Sequence, residues 1–218
     1  MLIDDSIRSA LLPILPAAMD ISKRHGLPSD YKSGHRPRHI AGNLADPEAV
    51  RTILLLAEPG SSPDYEELNR DEADWIDDIC CDGVGGKGFR LRYDEKAQSL
   101  YKKNPRSFFA MIWPDESYAA RMKKVIITNS FWMQAHLSGE NVPAQAAKEF
   151  GVYLKQFVSA FPNAICVAAG GKAKERCKWA NISAIGMGAL TPPGANQPKI
   201  KESWSIAASE VKRRIKLA

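Results

Sequence analysis

The stretch Arg51-Thr-Ile-Leu-Leu-Leu-Ala-Glu58-Pro59-Gly60 decides the fold class of this chain. Its run of Ile and Leu residues is bounded by polar segments, which is typical of a strand covered on both faces of a sheet. The proline and the glycine that follow force the chain to turn. Open parallel sheets bind ligands beyond the carboxyl ends of their strands, and the sequence therefore predicts the Glu58 carboxylate at the mouth of a binding site.

Three further apolar segments follow, and helical patterns separate them. Strands are predicted at 124–128, 164–169 and about 184–190. Helices are predicted after Pro143, from about 171 to 179 and from about 201 onward. This alternation predicts an α/β fold, namely a three-layer α/β/α sandwich with a central four-stranded parallel sheet and right-handed crossovers.

The length of the chain fits one domain. Its 218 residues can bury roughly 70% of the surface that the unfolded chain exposes. Within a single domain over 1–218 we expect a helical N-terminal extension at about 1–45 and an insertion at about 71–106. An amphipathic pattern over 6–25 predicts a helix in that extension, and Pro13 and Pro16 predict a break in it.

The charge of the chain favours an anionic partner. The formal net charge is +5, and basic residues cluster at 32–38, 102–106, 121–124 and 212–216. Such clusters suit a nucleic acid. The alternative is that each cluster is a solvated face, balanced by acidic stretches such as 64–78.

The cysteines and the first residues indicate the compartment. The four cysteines have no paired CxxC spacing for zinc or an iron–sulfur cluster, and we expect reduced thiols and no metal site. Acidic residues precede the first apolar stretch, and prolines interrupt it, so a signal peptide and a membrane span are not expected. These features predict a cytoplasmic protein with no membrane association. We expect it to be of bacterial type and associated with DNA. The cysteines are Cys80, Cys81, Cys166 and Cys177.

Three of the four predicted strands end in a polar signature: Glu58-Pro-Gly, Thr128-Asn129-Ser and Thr191-Pro-Pro-Gly-Ala-Asn196. In their order and spacing these signatures resemble those of the uracil-DNA glycosylase superfamily, over roughly residues 50–215. That superfamily has a strand that ends in Gly-x-Asp/Asn/Glu-Pro-Tyr/Gly. Residues 56–60 match this motif from the third position onward, and the first glycine is missing.

The resemblance implies roles for residues at the first three strand ends. Glu58 would position the attacking water, and Asn129 would read the edge of a flipped base, since an amide both donates and accepts. Gly171 and Lys172 match a glycine that leads into a helix, whose free amides would bind a DNA phosphate. The residues alone leave alternatives open: Glu58 as a helix cap or lysine partner, Asn129 as a turn residue, and the glycines as a close packing contact.

The fourth strand end departs from the superfamily. There a His-Pro-Ser loop grips DNA and stabilises the departing base, whereas this chain has Thr191 and Pro192. Asn129, Thr191 and Asn196 are the donors predicted to stabilise that base, and His35 and His39 are alternatives to the missing histidine. The order of Asn196 and a later tryptophan in the terminal helix is similar to the single-strand-selective monofunctional branch.

Gly60 and an aromatic residue bear on which base the binding pocket accepts. A tyrosine at the Gly60 position blocks the carbon-5 side of the pyrimidine in uracil-restricted members, and glycine leaves that side open. The resemblance therefore implies uracil or a C5-modified pyrimidine, including the hydroxymethylated or glucosylated cytosine of phage DNA, and Ser61 is grouped with Gly60 as a contact. Phe89 is the first choice to stack on the base, ahead of Phe131 and Trp132, which as aromatic residues near strands also suit a core.

The prediction that follows is a monofunctional DNA glycosylase that hydrolyses an N-glycosidic bond and leaves an abasic site. A carboxylate orients water and stabilises positive charge on the sugar. The expected partner is DNA, with no cofactor and no obligate protein partner. The alternatives are a catalytically inactive DNA-binding module on the same fold, motivated by the missing histidine, and a hydrolase of small nucleotides.

Overall fold

The computed structural model describes residues 4–29, 40–57, 100–133, 141–190, 195 and 197–217. These residues contain one sheet of five strands. The strands are β1 (Ile40–Gly42), β2 (Thr52–Leu56), β3 (Val125–Asn129), β4 (Ile165–Ala169) and β5 (Ala184–Met187).

The strand order is β1-β3-β2-β4-β5. β2 pairs in parallel with both β3 and β4, and β4 pairs in parallel with β5. The predicted four-stranded parallel sheet is therefore confirmed. The antiparallel edge strand β1 was not predicted, because three residues are too short to give an alternating pattern.

Six helices cover the two faces of the sheet within the described residues. They are α1 (Asp5–Arg24), α2 (Leu100–Ile112), α3 (Tyr118–Met122), α4 (Ala144–Ser159), α5 (Gly171–Trp179) and α6 (Pro198–Ile215), and a 3₁₀ turn spans Pro47–Ala49. α1, α4 and α5 cover one face, which we call the first face, and α2, α3 and α6 cover the second face. The three-layer α/β/α sandwich is thus confirmed.

Side chains of the strands alternate between two cores. In β2, Ile53 and Leu55 belong to the core of the first face, and Leu54 and Leu56 belong to the core of the second. Both sets are buried, because helices cover both faces of the sheet. The sequence of the strand is therefore apolar without interruption over residues 53–56. The predicted apolar face of the last helix is also present, since Trp204, Ala207, Ala208 and Val211 are buried.

The predicted break in the first helix is wrong, because α1 continues through Pro13 and Pro16. Both prolines lie on its exposed side. Each proline removes one hydrogen bond to the carbonyl four residues earlier, here Ser9 and Leu12. Those two residues are also exposed, so water can bond the freed carbonyls.

Some element boundaries differ from the prediction. β5 ends at Met187 rather than near 190, and α6 begins at Pro198 rather than near 201. α2 begins within the range predicted as an insertion and continues beyond it. None of the helices in the described ranges is long and apolar enough to cross a membrane.

Candidate functional site

The connections of the sheet place a crevice at the carboxyl ends of β2 and β4. α2 and α3, which precede β3, lie on the second face, whereas α4 and α5 lie on the first face and lead to β4 and β5. Connections from the adjacent strands β2 and β4 therefore run in opposite directions. Such a switch point is where open α/β sheets bind ligands.

The described residues include three of the predicted site residues, Asn129, Gly171 and Lys172. All three lie at the carboxyl edge of the sheet. The other predicted site residues lie outside the described residues. They are Glu58, Gly60, Ser61, Phe89, Thr191, Pro192 and Asn196, together with His35 and His39.

Asn129 is the last residue of β3, and its side chain has no solvent exposure. Neither its amide nitrogen nor its amide oxygen has a hydrogen-bond partner among the described residues. The interpretation of Asn129 as a turn residue that bonds the backbone is therefore wrong. Leaving a buried polar group unpaired costs about 1–3 kcal/mol, so such a group needs an explanation. A ligand that offers one donor and one acceptor would satisfy both atoms.

The backbone just after Asn129 is bonded to the end of β2. The Ser130 amide donates to the Leu56 carbonyl at 2.7 Å, and the Ala57 carbonyl accepts from the Ser130 amide at 3.0 Å. The Ser130 hydroxyl donates to the same Ala57 oxygen at 3.0 Å, and the Phe131 amide donates to it at 3.3 Å. Because Glu58 follows Ala57 directly, these bonds fix the point from which the predicted carboxylate emerges.

Arg176 is a buried cation next to this junction, and the sequence analysis missed it. Arg176 is buried, with only 4% of its surface exposed to solvent. The guanidinium Nη1 lies 3.3 Å from the Ser130 hydroxyl oxygen, and the guanidinium carbon lies 5.9 Å from the centre of the Phe131 ring. A signal was present, because Arg176 shares the buried face of α5 with Ala173 and Cys177, at helical spacing.

The two glycines before α5 have different explanations. Gly170 has a φ of 89°, a conformation that side-chain-bearing residues rarely adopt. At Gly171 a Cβ atom would meet nothing within 4 Å in the part of the chain that the structure describes. The close-packing interpretation therefore does not account for Gly171. The N-cap residue Gly170 has no side chain to cap α5, and the first turn of α5 holds the partly buried Lys172 and no acidic residue.

The start of α5 and Asn129 are separated by the width of the central strand. β3 and β4 flank β2, so the ends of β3 and β4 lie about 10 Å apart. That spacing is wide enough for a nucleotide to contact both. The side chain of Asn129 points to the second face, because side chains two residues apart in a strand share a face and Ile127 belongs to the core of that face. α5 lies over the first face.

The approach to the predicted Thr191 loop is bonded to two helices of the second face, α2 and α6. The Asn104 amide donates to the Leu190 carbonyl at 2.6 Å. Further back, the Gly188 amide donates to the Ser203 hydroxyl at 2.8 Å, and the Trp204 indole donates to the Gly188 carbonyl at 3.3 Å. The chain therefore enters this loop from a fixed position.

Phe131 and Trp132 belong to the core of the first face. Both rings are fully buried. Phe131 packs edge-on against Phe150, and Trp132 packs edge-on against Phe157. These contacts remove both residues from the set that could stack on a base.

The two described cysteines are free thiols. Burial, together with the nearby Cys177, raises the pKa of Cys166 to about 12, and burial raises the pKa of Cys177 to about 11. Both thiols are therefore protonated and unreactive at neutral pH. Among the described residues there is no cluster of three or more His, Cys, Asp or Glu side chains for a metal ion.

No protein-family model matches the chain, and no curated protein matches it. The features of this chain that bear on its function are the strand-end motifs and the contacts around them.

Proposed function

We propose that this protein is a monofunctional DNA glycosylase that hydrolyses the N-glycosidic bond of a flipped pyrimidine and leaves an abasic site. The observation that carries the proposal is the buried amide of Asn129 at the carboxyl edge of the sheet, which has no hydrogen-bond partner within the described ranges. A pyrimidine edge offers neighbouring donors and acceptors, which an amide can pair. A purely structural asparagine would be expected to bond its surroundings.

In the proposed reaction Glu58 orients the water that attacks the sugar. A carboxylate also stabilises the positive charge that develops on the sugar as the bond breaks. The departing base gains negative charge, and Asn129, Thr191 and Asn196 supply donors for it. The bonds from Ser130 and Phe131 to Ala57 support this scheme, since they fix the backbone directly before Glu58.

The proposed substrates are uracil and C5-modified pyrimidines, including hydroxymethylated or glucosylated cytosine. Gly60 leaves the carbon-5 side of the base without a blocking side chain. Modified cytosines of this kind occur in phage DNA, so the proposal extends to a cytoplasmic defence role. The start of α5, with Gly171 and Lys172, is the proposed contact for a DNA phosphate.

The test is abasic-site formation, measured by alkaline strand cleavage. Matched DNAs carry uracil, a thymine mismatch, hydroxymethylcytosine or glucosylated hydroxymethylcytosine. The variant Glu58→Gln removes the proposed catalytic charge, and Glu175→Gln removes an exposed carboxylate on α5 as the matched control. We expect cleavage of one substrate by the wild type and the control, and none by Glu58→Gln. Equal cleavage by Glu58→Gln would rule out the catalytic role.

The second candidate is a DNA-binding module without catalytic activity. Thr191 in place of the superfamily's histidine favours it. In that case every DNA would stay intact while the protein binds DNA with an affinity that falls steeply with salt. A hydrolase of small nucleotides would instead act on free nucleosides and show little salt-dependent DNA affinity.

A further inference from the structure

Arg176 places a positive charge where the sheet meets the first-face core. Burial of a charged side chain is costly unless hydrogen bonds compensate it. The side chain nevertheless points along the core-facing side of α5, toward the residues that follow β3. An apolar residue would suit this position if packing were the only requirement.

The bond from Arg176 to Ser130 is the first of two consecutive hydrogen bonds that run in one direction. A guanidinium can only donate, and its Nη1 donates to the Ser130 hydroxyl oxygen at 3.3 Å. The hydroxyl has a single proton, which it donates to the Ala57 carbonyl at 3.0 Å. A cation at the start of such a chain polarises the hydroxyl and strengthens its bond to the carbonyl.

These two hydrogen bonds connect a helix to the ends of two neighbouring strands. Arg176 belongs to α5, Ser130 follows β3, and Ala57 follows β2. The peptide group of Ala57 is the last one before Glu58. Its orientation therefore sets the direction in which the chain leaves the sheet toward the proposed catalytic carboxylate.

We propose that Arg176 is a positioning residue for the reaction proposed above, acting through the Ser130 hydroxyl on the end of β2. This inference rests on the proposed glycosylase function. Misplacement of a reacting group by about 1 Å can lower a rate by about 100-fold, so a fixed strand end matters for catalysis.

The first test separates positioning from binding. Arg176→Met keeps an unbranched side chain and removes the cation, Arg176→Lys restores the charge, and Lys178→Met is the matched control on the exposed side of the same helix. We expect Arg176→Met to lower the single-turnover rate of base release at least about tenfold. The affinity for substrate DNA should change less than about twofold, and Arg176→Lys should recover part of the rate.

The second test asks whether Arg176 acts through Ser130. If it does, Arg176→Met should cause little further loss of rate in a protein that already has Ser130→Ala, because the bond it supports is gone. Equal fold losses in the two backgrounds would mean that Arg176 acts independently of Ser130, and would overturn the proposal.

The third test does not depend on activity. Amide hydrogen exchange of Ser130 and Phe131 reports the bonds to Ala57, and we expect it to accelerate about tenfold or more in Arg176→Met, with Val167 in β4 unchanged. Faster exchange with an unchanged rate of base release would show a purely structural contact and refute the positioning role. If the wild type releases no base from any DNA, the proposed function fails, whatever the exchange data show about the contact.

Discussion

Asn129 lies opposite Leu56 in the parallel register of β3 and β2. Its amide is buried without a hydrogen-bond partner among the described residues, and its backbone continues into the bonds that fix Ala57. Asn129 therefore reports on the site in two measurable ways, through stability and through activity. A functional residue retained at a cost in stability is expected to show opposite effects on the two.

We expect Asn129→Val to stabilise the protein and to abolish base release. Valine suits a strand, and it removes a buried unpaired amide that costs about 1–3 kcal/mol. Each 1 kcal/mol should raise Tm by about 2–4 °C in a protein of this size. Thermal unfolding and the strand-cleavage assay measure the two effects.

Thr128→Val is the matched control for that variant. The Thr128 hydroxyl is also buried without a partner in the described residues, but its side chain faces the other core by alternation. The Thr128→Val variant should be more stable than the wild type and should retain base release. A lower Tm for Asn129→Val would contradict the interpretation of the amide as unpaired.

Gly171→Ala should weaken DNA binding without destabilising the fold. A methyl group at this position has no neighbour within 4 Å among the described residues outside its own helix turn, and alanine favours a helix over glycine by up to about 1 kcal/mol. The methyl group would nevertheless stand close to the amides that would receive a phosphate. Fluorescence anisotropy with labelled DNA measures the affinity, and an unchanged affinity with an unchanged Tm would place the phosphate contact elsewhere.

Cys166 and Cys177 should resist alkylation in the native protein. Burial raises both pKa values, to about 12 and about 11, so almost no thiolate forms at pH 8. Iodoacetamide labelling followed by peptide mass spectrometry should find both modified only after denaturation. Modification of either one in the native protein within minutes would show that the first-face core opens readily.

The same raised pKa values predict loss of stability in alkali. The contribution of the two protonated thiols to the free energy of unfolding is fully present below the ordinary thiol pKa of 9.0. It declines as the pH rises from there toward the raised pKa values of the folded protein. Urea unfolding between pH 8 and pH 10 should therefore show a falling free energy of unfolding. The fall should be smaller in a variant with Cys166→Ala and Cys177→Ala.

Glu149 should contribute to stability only above acidic pH. Its carboxylate lies 3.0 Å from the Arg24 guanidinium and 2.9 Å from His25 Nε2. These two contacts join α4 to the end of α1. Hydrogen bonds from Arg24 and then from His25 lower the pKa of Glu149 below its ordinary value. A lowered pKa gives stability that is present above the ordinary carboxyl value and is lost as the pH falls through the lowered one.

Glu149→Gln should therefore be less stable than the wild type at pH 7, with a difference that shrinks toward zero in acid. Urea unfolding across this pH range measures it. Glu202→Gln, which removes an exposed carboxylate on α6, is the control for the loss of one negative charge. A Glu149→Gln deficit that persists unchanged at the lowest pH would point to lost packing rather than lost charge.

Apolar runs and helical spacing predicted most of the fold. The strands β2, β3 and β4 and the helix α5 lie within a residue or two of their predicted limits, because buried parallel strands and amphipathic helices have distinct periodicities. β1 escaped prediction because its three residues are too short to give an alternating pattern. The continuity of α1 also escaped, since whether a proline breaks a helix depends on which side of it faces water.

The sequence by itself determined the fold class and the polar residues at the strand ends, since both follow from local pattern. It placed Asn129 at the end of a buried strand and a glycine pair before a helix. Only the tertiary structure decided that the Asn129 amide has no partner among the residues described, that Phe131 belongs to a core, and that Arg176 reaches Ser130. These are contacts between residues distant along the chain, and they exist only after the sheet and helices have packed.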